Sequence, residues 1–137
     1  MSSKIGNKTP QEFTEGMIQE LFVAPTEPPA AVVGRYLNAD YAQYTDGQVV
    51  GREQQVAHLE FLHKNATLVE FDIQQVTYDG EWLAERHLGH VVFRDGRDVR
   101  SEVATFFRIV DGRISEVHEV TRPLSDNDDD RAVHTAH

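Results

Sequence analysis

Apolar side chains recur every three to four residues through the first part of the chain and every second residue through the last half, so the pattern predicts helices first and strands afterwards. Phe13, Met17 and Leu21, with Ile18 and Phe22 beside them, form one stripe over Pro10–Val23. Thr9-Pro10-Gln11-Glu12 supplies its start: the threonine caps, the proline suits the first turn, and Glu12 can reach back as a capping box. Pro25, Pro28 and Pro29 then interrupt the helix, and the last two open a second one through Ala30-Ala31-Val32-Val33 to about Leu37. Two short segments, Tyr41–Thr45 and Gln48–Val50, flank an Asp46-Gly47 turn. Val56, Leu59 and Leu62 then mark a third helix over Arg52–Lys64.

From Thr67 the period becomes two. Asp79-Gly80, Asp95-Gly96 and Asp111-Gly112 fall sixteen residues apart and divide the rest into strands at about Thr67–Thr77, Trp82–Phe93, Asp98–Ile109 and Arg113–Arg122. Asp-Gly between β-rich runs signals a hairpin, because glycine takes positive φ without steric cost. Three helices packed on a long antiparallel meander make an α+β protein. The strands exceed the usual five or six residues, which predicts a strongly curved sheet with a bend at Gly89.

Register decides which side chains meet. In the third long strand Val99, Val103, Phe107 and Ile109 share a face with Ser101 and Thr105, while Arg100, Glu102 and Arg108 occupy the other, so the first set lies on the covered face. Three-residue loops with a glycine bulge at every Asp-Gly turn bring Val69, Phe71 and Ile73 onto that face without any further bulge. The rows then read Phe71–His87–Val103–Glu119, Ile73–Glu85–Thr105–Val117 and Val69–Gly89–Ser101–Thr121. Polar groups that interrupt an apolar face are the pattern of a small-molecule pocket. His87 and Glu119, two strands apart at about 10 Å, are the candidate acid and base. Glu85, Ser101, Thr105, Val117 and Thr121 line the same face, with Tyr44 and His58 reaching in from the helical side. Glu85 has a competing reading as an edge ion pair with Arg86 or Arg100. Trp82, Val76, Tyr78 and Phe106, with Arg86 and His118, fall on the outer face, where an apolar patch suits a homodimer contact.

Composition narrows the classes. The 137 residues carry a net charge of −10, which disfavours nucleic acid and anionic membrane as partners. Cysteine is absent, which excludes disulfides and thiolate chemistry and is compatible with a cytoplasmic setting. No apolar run reaches the length of a membrane span, and the N-terminus lacks the apolar stretch of a signal peptide. The seven histidines show no metal-binding spacing, and no glycine-rich phosphate loop occurs, so the expectation is a site without metal or cofactor. Residues 1–124 read as one domain. Residues 125–137 read as a flexible acidic tail, with Asp126, Asp128, Asp129 and Asp130 opposed by Arg131.

Helix-first, meander-last order, together with Ala39-Asp40-Tyr41-Ala42-Gln43-Tyr44, Gly51-Arg52-Glu53, the run Phe107–Ile114 and Glu119-Val120-Thr121-Arg122, resembles the SnoaL-like branch of the nuclear transport factor two-like superfamily. That branch includes polyketide cyclases and ketosteroid isomerases. The resemblance implies a cone-shaped α+β barrel with a deep pocket between helices and sheet, and homodimers through the other sheet face. Tyr44-Thr45-Asp46 stands where cyclases of the branch commonly have His-Asn-Pro. Thr45 and Thr105 stand where the isomerases have their two aspartates, which argues against ketosteroid isomerisation. Two functions follow: a cofactor-free proton-transfer enzyme (isomerase, cyclase or dehydratase) acting on a hydrophobic carbonyl compound, or a non-catalytic ligand-binding or dimeric adaptor domain.

Overall fold

In the computed structural model, which describes residues 7–124, three α-helices accompany a curled, unclosed sheet of six strands. Helix α1 (Pro10–Ile18) runs into a π-helical segment (Gln19–Val23), and α2 (Pro29–Tyr36) leads directly into β1 (Leu37–Thr45). Strand β2 (Gln48–Gly51) precedes α3 (Arg52–Asn65), and β3 (Ala66–Asp79), β4 (Trp82–Phe93), β5 (Asp98–Val110) and β6 (Arg113–Pro123) complete the chain. The acidic segment 125–137 lies outside the described residues.

The sheet order is β2-β1-β6-β5-β4-β3. The four-stranded meander is therefore present, but the sheet as a whole is mixed: β1 lies parallel to β6 and carries β2 at its outer edge. The segments around Asp46-Gly47 are thus strands of the main sheet, an assignment their polar composition did not reveal.

The Asp-Gly turns do not all resolve alike. At Asp95-Gly96 the expected three-residue loop forms, with the Phe93 amide donating to the Arg97 carbonyl and Gly96 at φ +94°. At Asp111-Gly112 both residues have positive φ, 53° and 79°, the signature of a two-residue type I′ turn, and Ile109 faces Ile114. At Asp79-Gly80 the loop is also two residues long, Gly80-Glu81, with Asp79 facing Trp82. Tight turns would flip both outer strands, but an extra residue near each turn offsets the flip: the register shifts between Ile73 and Gln75 on β3, which shifts once more between Ala66 and Leu68, and at Ser115 on β6. A bulge of this kind inverts the inward and outward alternation beyond it. Phe71 and Ile73 face inward on one side of the β3 bulge, and Val76 and Tyr78 on the other, so the last two pack against the core rather than on the outer face.

The core lies between the helices and this inward face. Leu59 of α3, Leu83 of β4, Ile109 of β5 and Ile114 of β6 are fully buried, each contributing about 1.5–3 kcal/mol by burial. Phe13, Met17, Ile18 and Leu21 turn the predicted stripe of the first helix onto them. The Thr9 capping box forms as read, with the Thr9 hydroxyl accepting from the Glu12 amide and Glu12 accepting from the Thr9 amide. The π segment is held from both sides. His63 of α3 bonds the Leu21 carbonyl at 2.8 Å, and Glu20 accepts from Tyr36 and Arg35 of α2. These contacts fix Leu21 and Phe22 over the inward face of the sheet.

Candidate functional site

The two bulges rearrange the polar rows. His87 pairs with Ile73 and Val103, and Val103 with Thr121; Glu85 pairs with Thr105, Thr105 with Glu119, and Glu119 with Thr45 of β1. The β4–β5 register is as expected. The partners on β3 and β6 are displaced by two residues, a shift that preserves the face and changes the neighbours. Glu119 therefore shares its row with Glu85 and Thr105, one step diagonal from His87.

Strand alternation places Glu85 and His87 side by side on the inward face of β4. Glu85 is 5% exposed, and its carboxylate oxygens lie 2.9 and 2.8 Å from His87 Nδ1. A carboxylate can only accept, so the Nδ1 proton belongs to this bond, which leaves Nε2 as the ring nitrogen available to a molecule in the cavity. The pair is internal, not an edge contact: Arg86 points outward to Glu102, and Arg100 lies near Asp98. The other side of the imidazole stacks on Phe71 with ring centroids 4.7 Å apart, and Phe71 stacks on Phe22 of the π segment at 5.3 Å. One ring stack, on Phe71, and one bifurcated hydrogen bond, to Glu85, thus hold His87 in place.

Glu119 is the most perturbed acid of the site. Burial pushes its carboxyl up to about 7, assisted by the charges of Glu85 and Asp46 and opposed by His87 and by a hydrogen bond from Thr45. A carboxyl poised there exchanges a proton near neutral pH. Beside it on β1, Tyr41 donates to Gln43 Oε1 and Gln43 Nε2 donates to Thr45 Oγ1 at 2.8 Å. Burial and the nearby Glu119 charge push the Tyr41 hydroxyl well above the ordinary tyrosine range, so it stays protonated as a donor.

These groups enclose a cavity of about 100 Å³. Its floor carries Glu85, His87, Thr105, Val117 and Glu119; its apolar roof comes from Met17, Ile18, Leu21 and Phe22; Tyr41 and Gln43 close one end. Thr105 is buried, and among the described residues its hydroxyl has no hydrogen-bond partner, an exception to the usual pairing of buried polar groups.

Of the nine residues read as site candidates, His87, Glu119, Glu85, Thr105 and Val117 line this cavity. Four do not. Tyr44 lies on the outer face, 42% exposed and stacked on His118, because its parity along β1 is opposite to that of Tyr41 and Gln43. His58 sits on the exposed side of α3. Ser101 is buried against Gly89, two rows away from Glu119, and Thr121 pairs with Val103 beyond the cavity floor. The outer face keeps Trp82 and Phe106 as expected, with Val120 beside them, all exposed. Sequence reading missed Gln43, the pairing role of Tyr41, and Gln55, which is buried on the cavity side of α3. The i, i+2, i+4 spacing of Tyr41, Gln43 and Thr45 was the available signal.

A family model described as the SnoaL-like domain matches residues 18–117. The uncharacterized protein C11D3.04c of Schizosaccharomyces pombe is 29% identical over 122 residues, covering 88% of this chain and 94% of the relative. Among solved structures, a candidate polyketide cyclase from Acidithiobacillus ferrooxidans superposes with a TM-score of 0.68 at 15% identity, covering 99% of this chain and 97% of its own. An epoxide hydrolase from Mycobacterium tuberculosis resembling LEH superposes with a TM-score of 0.65 at 17% identity, covering 80% and 79%. At such identities the structural likeness establishes the fold, and the family model establishes the kinship: the chain belongs to the SnoaL-like domain family of the nuclear transport factor two-like superfamily.

Proposed function

We propose that the cavity is the active site of a cofactor-free enzyme that moves a proton on a small hydrophobic carbonyl compound, in an isomerisation, an aldol-type cyclisation or a dehydration. The observation that carries this reading is the juxtaposition of Glu119, a carboxyl poised near neutrality by burial, with an imidazole oriented by Glu85. Ionised Glu119 takes a proton from the carbon beside the carbonyl. His87, through Nε2, supplies or receives the proton at the oxygen, where charge develops. Thr105 offers its unpaired hydroxyl to the same oxygen, and the Phe22–Phe71 stack provides an apolar wall for the rest of the molecule.

Cavity size limits the substrate. A space of about 100 Å³ is below the roughly 150 Å³ of an apolar cavity that admits benzene, so the part of the substrate buried here is about one small ring or a short branched chain. Among the described residues two carboxylates and no lysine or arginine line it, which favours a neutral molecule over an acid. Candidate polyketide cyclases and a hydrolase among the structural neighbours are consistent with small-molecule chemistry in this fold.

A panel of small aldehydes and ketones, with their carboxylic acid analogues as controls, tests the reading. A ligand that binds only the folded state raises the melting temperature, and hits are then followed for turnover by NMR. Carbonyl compounds should stabilise and acids should not, and His87→Ala and Glu119→Gln should abolish turnover of any hit. Full turnover in both variants, with unchanged stability, contradicts the assignment.

A further inference from the structure

Three side chains of β1, spaced two residues apart on the inward face, are hydrogen-bonded in one direction. Tyr41 donates to Gln43 Oε1 and Gln43 Nε2 donates to Thr45 Oγ1 at 2.8 Å, and Thr45 stands opposite Glu119 as its register partner on β6, where its side chain helps hold the carboxyl down. A threonine hydroxyl has one hydrogen. While Gln43 donates to the oxygen, that hydrogen is directed elsewhere, and Glu119 is the acceptor paired with Thr45 across the β1–β6 ladder. Tyr41 completes the arrangement: by donating to Oε1 it fixes the amide so that its N–H, rather than its oxygen, meets Thr45. Each bond polarises the next.

We infer that Gln43 is a positioning residue that sets the charge state of Glu119 by holding the Thr45 hydroxyl in its donating orientation. The other titratable groups facing Glu119 are Glu85 and His87 from β4, Asp46 from the β1–β2 turn and Tyr41 itself. Among the described residues the helical elements contribute no ionisable side chain to the cavity wall, so the β1 chain is the adjustable influence from that side. The inference rests on the reading of Glu119 as the proton-accepting group only for its consequence in catalysis. Its test needs no substrate.

The test is isotope-edited NMR of the glutamate side-chain carboxyl carbons, followed through a pH titration in wild type and variants. Gln43→Met keeps the length of the side chain and removes both bonds; the Glu119 midpoint should rise by about one pH unit. Thr45→Val should raise it similarly. In the Thr45→Val background, Gln43→Met should add nothing, since the two act through one bond. Tyr41→Phe should give a smaller rise of the same sign. Should Gln43→Met fail to fold, Gln43→Asn, too short to span the two hydroxyls, enters the same cycle. A Glu119 midpoint unmoved by the Gln43 variants overturns the inference, and so does an equal shift with and without Thr45. Either result leaves the proposed proton transfer standing, while absence of turnover on every carbonyl compound leaves the titration result intact.

Discussion

His87 donates its Nδ1 proton to both carboxylate oxygens of Glu85, and the two residues are next-but-one neighbours on the inward face of β4. Glu85→Gln keeps an acceptor for that proton but loses its charge, whereas Glu85→Leu leaves a buried ring N–H unpaired. Chemical denaturation should rank them accordingly, with the leucine variant losing about 1–3 kcal/mol and the glutamine variant less. Turnover should fall in both, by roughly 100-fold or more, because leucine leaves the tautomer free and glutamine, which can also donate, no longer enforces it.

The unpaired hydroxyl of Thr105 gives a prediction of opposite sign for stability and binding. Thr105→Val removes a buried polar group without a partner at nearly constant shape. It should raise the stability of the ligand-free protein by about 1 kcal/mol while weakening the stabilisation conferred by carbonyl ligands, both measurable in one set of melting curves.

Glu119 links stability to pH. Its carboxyl sits at about 7 in the folded protein against an ordinary 4.5, so between those values the folded state holds more protons than the unfolded chain. Stability from this group is fully present below 4.5, falls as pH rises and is lost above 7, a difference of about 3 kcal/mol at most. Glu119→Gln removes the dependence. Relative to wild type, that variant should therefore be more stable at pH 8 than at pH 5 in urea titrations.

The type I′ turn at Asp111-Gly112 sets the entry to β6, and Gly112 has φ +79°. Gly112→Ala should cost about 1 kcal/mol or more through backbone strain, whereas Asp111→Gly should be tolerated. Equal effects in equilibrium unfolding would show that the turn is not of this type.

Much of this architecture was legible in the sequence because β5 alternates cleanly: Val99, Ser101, Val103, Thr105, Phe107 and Ile109 are all buried. That alternation gave the covered face and the correct pairing of β4 with β5. The bulges near Gln74 and at Ser115 were not legible, since an extra residue has no compositional mark and both loop lengths suit Asp-Gly. Their effects compensate for the tight turns, which is why Glu85, His87 and Glu119 share the inward face as expected, with displaced partners. Strand β1 was obscure for a different reason. Tyr41, Gln43, Tyr44 and Thr45 are all amphipathic or polar, so hydrophobicity could not choose a parity, and Tyr44 was selected over the pair that lines the cavity. The π segment was hidden too, because Leu21 and Phe22 continue the apolar stripe whichever helical hydrogen bonding follows.

Exchange of a ketone's α-hydrogens in deuterated water reads proton removal by Glu119 directly, before any particular product must be known. With a ketone that stabilises the protein, protein-catalysed deuterium incorporation should rise with pH through a midpoint near 7, be lost in Glu119→Gln and fall sharply in His87→Ala. Incorporation that is independent of pH across that range, or that survives in Glu119→Gln, would contradict proton removal by Glu119.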